Sequence, residues 1–264
     1  MALLGEELME PADAMRGRNV SSAIVFVYCS RGGSPIMTMI SMLGEKIGKN
    51  WQKRLRTVLG NHPKHTSLFH LLSPQTTHDH HTTLSADPHK MSEIIRFDNQ
   101  VCIVTGAGAG IGRAHAILFG ARGASVVVND MNPTAAESTV QEIISAGGIA
   151  IADIHSVVHG AKVVQTAIDT YGRIDIIVNN AGILRDVSFA KMKEEQWDLV
   201  YEVHCKGTKS ICKAAWPYMR EQKYGRIINT TSVNGLFGAV GQANYSFAKA
   251  GIIGFTYTLA QEGK

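Results

Sequence analysis

The sequence predicts a doubly wound α/β fold over residues 91–264, a parallel sheet with helices on both faces. Short apolar runs bounded by Gly, Asn or Asp alternate with longer helical stretches from Gln100 onward. Most of these runs are β-branched at consecutive residues rather than at every second one, the pattern of strands buried on both faces. The first run leads straight into a glycine-rich turn that opens a helix. With right-handed crossovers, such alternation leaves few other topologies.

Residues 1–90 have a different character. Ala23–Cys29 is an apolar run of seven residues, far short of the ~20 that a membrane helix needs. Glu6, Glu7, Glu10 and Asp13 precede it, where a secretory or transit segment would be basic. From Ile36 to Leu59, scattered apolar residues with Lys46, Lys49, Lys53, Arg54 and Arg56 could form a basic amphipathic helix. Gly60 to Lys90 is rich in Thr, Ser, His and Pro and has little to bury. The expectation for 1–90 is a disordered extension or translated non-coding sequence. Seven of the eleven histidines fall there. A metal site at His78, His80 and His81 would need a spaced partner or a nearby Cys, and none is present, so no metal is expected.

In the second part the expected strands are Val101–Thr105, Ser125–Asn129, Ile149–Asp153, Ile174–Asn179 and Arg226–Thr230. The expected helices are Ile111–Arg122, Pro133–Ala146, Ala161–Tyr171, Lys193–Gln222 and Ala243–Glu262. Composition excludes several function classes. Net charge is +4 and evenly spread, so neither a nucleic-acid binder nor a membrane-surface binder is expected. Four cysteines without CxxC pairing fit a reducing compartment rather than a disulfide scaffold.

Val101-Cys-Ile-Val-Thr-Gly-Ala-Gly-Ala-Gly-Ile-Gly112 reads as strand, turn and helix start. Glycines are needed there because side chains would hold the backbone away from a pyrophosphate, which the first-turn amides and positive helix end attract. Gly106, Gly110 and Gly112 follow GxxxGxG, with Ile111 between the last two. The alternative is a glycine turn used only for packing. Asp130 ends the next strand, 18 residues after Gly112. Its carboxylate can accept from ribose hydroxyls and would repel a 2′-phosphate, which favours NAD over NADP. The alternative is a cap on the helix that starts near Pro133.

Asn180, Ala181 and Gly182 follow the fourth strand with small and amide residues, and Ser232 follows the fifth. Tyr245 and Lys249 lie at i and i+4, on one helix face. A free phenol, with a pKa near ~10, is a poor base at neutral pH. A nearby ammonium, and the positive charge of an oxidised nicotinamide, favour the phenolate. Such a pair can take the proton of a secondary alcohol as hydride leaves the same carbon, with Ser232 bonded to the substrate oxygen. YxxxK alone is weak. The order of glycine turn, Asp, Asn-Asn-Ala-Gly, Ser, and Tyr thirteen residues later is specific.

Over about Phe97 to Lys264 the chain resembles the short-chain dehydrogenase/reductase family, of Rossmann type. Val126-Val-Val-Asn-Asp130, Asn179-Asn-Ala-Gly-Ile-Leu-Arg-Asp186, Ala214-Ala-Trp-Pro217 and Gly241-Gln-Ala-Asn-Tyr-Ser246 are similar to the (3R)-hydroxyacyl-CoA dehydrogenase domains of peroxisomal multifunctional enzymes of type 2, fungal forms above all. The resemblance implies NAD-dependent oxidation of (3R)-3-hydroxyacyl-CoA to 3-ketoacyl-CoA in peroxisomal fatty-acid β-oxidation. It implies Tyr245 as acid/base, Lys249 as its pKa-lowering partner, and Ser232 as oxygen-orienting donor. Gly106, Gly110, Ile111, Gly112, Asp130, Ser156, Asn180, Ala181, Gly182, Tyr245 and Lys249 are the implied cofactor contacts. A homodimer through the Lys193–Gln222 and Ala243–Glu262 helices is implied as well.

The chain also departs from the family. His204 stands where many members place the asparagine of a proton relay, as it does in multifunctional enzymes; a packed helix histidine is the other reading. His155 replaces a common adenine-contacting Asp, leaving that contact to backbone and Ser156. Met91 looks like a natural start, and at Gln-Glu-Gly-Lys264 the family would continue through two more strands. The expectation is therefore an incomplete domain whose fifth strand is an open edge, with no Ser-Lys-Leu ending. Alternative readings are a 3-ketoacyl reductase, a hydroxysteroid dehydrogenase, or a non-catalytic remnant.

Overall fold

The computed structural model describes residues 95–263, together with strands at 23–29 and 38–42. In chain order the elements are β1 (Ala23–Cys29), β2 (Thr38–Met42), β3 (Val101–Thr105), α1 (Gly110–Ala121), β4 (Ser125–Asn129), α2 (Pro133–Ser145), β5 (Ile149–Asp153), α3 (Gly160–Tyr171) and β6 (Ile176–Asn179). There follow α4 (Glu194–Tyr201), a π-helical stretch at Glu202–Gly207, α5 (Thr208–Glu221), β7 (Arg226–Ser232), the short α6 (Asn234–Phe237) and α7 (Ala243–Glu262). The sheet order is β2-β1-β7-β6-β3-β4-β5. From β7 to β5 every pairing is parallel. This is the doubly wound α/β fold that the sequence predicts.

The apolar runs explain the two layers. Successive residues of a strand point to opposite faces. On one face Val101, Ile103, Val127, Ile177 and Ile227 pack with Val163, Val164 and Ala167 of α3 and Ile211, Cys212 and Ala215 of α5. On the other, Cys102, Val104, Val126, Val128 and Val178 pack with Ala116 and Phe119 of α1 and Ala136, Val140 and Ile143 of α2. Each such side chain, when fully buried, contributes roughly 1.5–3 kcal/mol. The chain builds outward from β3 to β5, then returns to β6 on the other side of β3. That reversal leaves a crevice at the carboxyl ends of β3 and β6, where doubly wound sheets bind ligands.

Three elements differ from expectation. The Lys193–Gln222 helix carries a π-helical stretch in its middle. The fourth strand starts at Ile176, because the preceding residues turn to bind β3: Val101 N donates to Asp175 Oδ2 at 2.8 Å, and Asp175 N to the Val101 carbonyl at 3.0 Å. The fifth strand runs on to Ser232. Where the sequence predicts an open edge at that strand, β1 pairs antiparallel along all of it, from Ala23 opposite Ser232 to Cys29 opposite Arg226. An apolar, glycine-free run suits an edge that otherwise presents unpaired amides. The rest of 1–94 lies outside the described residues. There fall most of the expected disorder, most of the expected Ile36–Leu59 helix, and His78, His80 and His81; within that helix Thr38–Met42 is instead β2, paired with β1. Among the described residues, no helix is long and apolar enough to cross a membrane, and no group of three His, Cys, Asp or Glu could hold a metal ion.

Candidate active site

At the end of β3 the backbone turns sharply. Gly106 and Gly110 hold φ of +62° and +55°, conformations that L side chains rarely adopt. A Cβ on Gly112 would collide with the Gly106 carbonyl oxygen, so the turn closes only on glycine. A Cβ on Gly110 would meet nothing within 4 Å, so the turn opens into space there. The first amides of α1, including Ile111 and Gly112, have no intrahelical acceptor, and its first turn carries no acidic residue. A positive helix end beside an open, side-chain-free turn suits a diphosphate.

Asp130 stands directly behind this turn. Its Oδ2 accepts from Gly108 N and its Oδ1 from Asn132 N, both at 2.9 Å. The helix cap is Asn132, whose side chain accepts from Ala135 N. Asp130 is thus tied to the glycine turn and is not the cap of α2. On the other side, Thr105 Oγ1 accepts from the amides of Asn180 and Ala181 at 3.0 Å, and Asn180 Nδ2 donates to the Thr105 carbonyl at 3.0 Å. Asn180, Ala181 and Gly182 are therefore locked against the turn.

Ser156 begins the turn at Val157–His159 and is half-buried beyond β5. Its loop is tied to β4 by Asn129, whose Nδ2 donates to Asp153 Oδ1 at 2.7 Å and to the His155 carbonyl at 2.8 Å. The His155 ring turns to Asp153 Oδ2 at 2.9 Å.

The second wall comes from β7 and α7. Ser232 and Lys249 are buried. Lys249 Nζ donates to the Thr230 carbonyl at 2.7 Å and lies 5.6 Å from the centre of the Tyr245 ring. Desolvation pushes Lys249 down to about 8. Burial raises the Tyr245 phenol, while a hydrogen bond from Ser232 pulls it down and the Asp186 carboxylate adds to the rise. Burial thus leads here, where the sequence pointed to the ammonium. Asn244 anchors the helix start: its Nδ2 donates to the Arg185 and Gln196 carbonyls, at 3.3 and 3.1 Å. Asp186 and Asn234 meet at Gln242, whose Nε2 donates to Asp186 Oδ2 at 2.8 Å and whose Oε1 accepts from Asn234 Nδ2 at 2.7 Å.

The structure therefore brings Gly106, Gly110, Ile111, Gly112, Asp130, Asn180, Ala181 and Gly182 to one end of the crevice. Ser232, Tyr245 and Lys249 gather at the other, and Ser156 stands apart beyond β5. Thr105, Asn129, Asp153 and Asn244 were not singled out from sequence. A hydroxyl immediately before Gly106 was the available signal for Thr105.

Residues 100–264 match the short chain dehydrogenase family. A curated relative, the peroxisomal hydratase-dehydrogenase-epimerase of Neurospora crassa, is 57% identical over 182 residues, 66% of this chain and 20% of that protein. Among solved structures, a short chain dehydrogenase from Mycobacterium avium superposes with a TM-score of 0.58 at 48% identity, covering 60% of this chain and 61% of that one. The full-length peroxisomal multifunctional enzyme type 2 from Drosophila melanogaster gives 0.56 at 48% identity, covering 64% of this chain and 29% of that one. The chain thus spans one fifth of the curated relative's length.

Proposed function

The chain belongs to the short chain dehydrogenase family, and on that premise we propose that it oxidises (3R)-3-hydroxyacyl-CoA to 3-ketoacyl-CoA with NAD, in peroxisomal fatty-acid β-oxidation. The observation that carries the reading is the half-buried phenol of Tyr245, hydrogen-bonded by Ser232 with the Lys249 ammonium behind its ring. A desolvated acid/base with one hydroxyl donor beside it is what abstraction of an alcohol proton needs. The names of the relatives, peroxisomal and dehydrogenase, support the reaction type and the compartment, and the resemblance of the motifs supports the substrate class.

The residues present fit a dinucleotide. Gly110 opens onto unfilled space, Gly106 and Gly112 would hold the backbone close to a diphosphate, and Asp130 favours ribose hydroxyls over a 2′-phosphate. NAD, when bound, supplies the hydride acceptor. Tyr245, as its phenolate, takes the hydroxyl proton and is left a neutral phenol, Ser232 Oγ donates to the substrate oxygen, and Lys249 steadies the phenolate charge before the transfer. Leu199, Tyr201 and Phe247 are exposed on α4 and α7, which supports the same reading's homodimer.

Incubation of the protein with NAD and a (3R)-3-hydroxyacyl-CoA should produce NADH, followed by its absorbance, and Tyr245→Phe should lower the rate by about 10²–10⁴-fold. Equal rates in the two proteins would remove Tyr245 from the role. A preference for NADPH and a 3-ketoacyl thioester would turn the reading toward a reductase.

A further inference from the structure

β7 overruns its neighbour in the sheet. β6 pairs with it from Ile176 opposite Arg226 to Asn179 opposite Asn229. Thr230, Thr231 and Ser232 continue the strand beyond that point, toward the crevice. Among the described strands, the one laid beside this overhang is β1, with Val25 opposite Thr230, Ile24 opposite Thr231 and Ala23 opposite Ser232. The overhang carries the second wall of the crevice. The Thr230 carbonyl accepts from Lys249 Nζ at 2.7 Å, and Thr231 Oγ1 donates to the Lys249 carbonyl at 2.6 Å. Ser232 is hydrogen-bonded to Tyr245, and its Oγ accepts from Asn234 N at 3.2 Å. β1 is in turn held from its far side, since β2 pairs with it from Ala23 opposite Met42 to Val27 opposite Thr38. α7, which bears Tyr245 and Lys249, lies against both β7 and β1.

We propose that Ala23–Val25 is a positioning segment for this site, an antiparallel strand end that holds Thr230–Ser232 where they meet Lys249 and Tyr245. It comes from some two hundred residues away in the same chain. The expected effect on turnover rests on the oxidoreductase reading above; the effect on the strand does not. The other end of β1 supplies an internal contrast. Val27 and Tyr28 lie opposite Ile228 and Ile227, which β6 pairs as well. There β7 is held from two sides, and loosening one of them matters less. At the overhang β1 is the strand that sets direction, and a shift of about 1 Å between reacting groups costs on the order of 10²-fold in rate.

Ile24→Pro with Val25→Pro, and Val27→Pro with Tyr28→Pro, make two matched double variants. Each removes one amide facing β7 and one facing β2, because alternate residues of an antiparallel strand turn their polar groups opposite ways. The first pair should lower kcat by about tenfold or more, with KM for NAD within about twofold, since the glycine turn is built on β3. The second should leave kcat within about threefold of wild type. Glycine at the same positions loosens a strand without removing a donor. It should give the same order with smaller losses, and it decides the matter if a proline pair does not fold. Equal kcat in the first pair and wild type, or an equal loss in the two pairs, would overturn the proposal.

Two measurements need no turnover. Arg226→Cys sets a thiol opposite Cys29, and Cα atoms of directly opposed antiparallel residues lie about 4.5–5.5 Å apart, within disulfide reach. Mild oxidation with copper phenanthroline should join the two peptides, as read by mass spectrometry. In Ile24→Pro with Val25→Pro, the amides of Thr230–Ser232 should exchange about tenfold faster while those of β3 and β4 do not change. No cross-link, or unchanged exchange, sinks the positioning role. Absence of NADH formation by the wild-type chain, with both signatures intact, would instead count against the oxidoreductase reading alone.

Discussion

At the nucleotide end of the crevice, the facing groups are backbone amides and small residues, and Asp130 holds two more amides in place. At the opposite wall, Ser232, Lys249 and His204 are almost wholly removed from water and surround a half-buried phenol. The first end is made by steric permission, since glycine alone fits. The second is made by desolvation, which sets proton affinities. Damage at the first should therefore be conformational and insensitive to pH. Damage at the second should carry a pH signature.

The largest expected effect is at Lys249. Lys249→Met should reduce turnover by about 10²–10⁴-fold and yet stabilise the fold at neutral pH. The folded pKa is about 8 against an ordinary 10.5. Between those values the unfolded chain binds the proton that the folded chain gives up, so stability rises with pH across that window; below it the full cost of burying the charge is present. That cost is about 3 kcal/mol, offset by about 1–2 kcal/mol for the lost bond to the Thr230 carbonyl. Urea unfolding should show a gain of about 1–2 kcal/mol at pH 7 that vanishes between about pH 9 and 10 and becomes a loss of about 1 kcal/mol near pH 10.5. A loss at pH 7 would contradict it.

At the steric end, Gly112→Ala drives a Cβ into the Gly106 carbonyl. It should cost about 1–3 kcal/mol and abolish NAD binding by calorimetry, equally at pH 6 and 8. Gly110→Ala meets no atom and bears only the left-handed backbone, φ +55°, which costs about 1–2 kcal/mol. If the two glycines proved equally sensitive, closure of the turn would not be the reason for Gly112.

His204 gives a smaller, purely pH-dependent effect. Burial, then Lys249, pushes it down to about 3. Between the ordinary 6.5 and that value the unfolded chain binds a proton that the folded chain refuses, so stability is lost as pH falls through this window. By pH 5 the site should cost about 2 kcal/mol. His204→Gln should lose correspondingly less stability between pH 7 and 5 in urea unfolding.

The contrast between the two ends also explains what could be read in the sequence. Gly106, Gly110, Gly112 and Asp130 follow one another locally, and a turn's steric needs are written in its own residues. Tyr245 and Lys249 were legible for the same reason, as i and i+4 on one helix. The direction of the His204 ring was not, since it depends on a π-helical stretch that no residue type announces and on a loop twenty-one positions away. Nor was the dominance of burial at Tyr245, which comes from packing between elements distant in sequence. Likewise Ala23–Cys29 could be seen as an apolar run, but its pairing with β7 spans some two hundred residues.

Asp130 tests the nucleotide end most finely. Both carboxylate oxygens accept from backbone amides, so Asp130→Asn keeps shape while turning one acceptor into a donor. One amide, of Gly108 or of Asn132, must then face an N–H. The turn should loosen by about 1 kcal/mol. The charge that would repel a 2′-phosphate is lost at the same time. The ratio of kcat/KM for NAD over NADP should fall by about tenfold, as 1.4 kcal/mol corresponds to one decade. Asp130→Ala would open both amides and lower NAD efficiency further, with the same fall in the ratio, because the repulsion is already gone in Asp130→Asn. An unchanged ratio in both variants would mean that Asp130 only holds Gly108 and Asn132 in place, and that the selection against a 2′-phosphate comes from elsewhere in the chain.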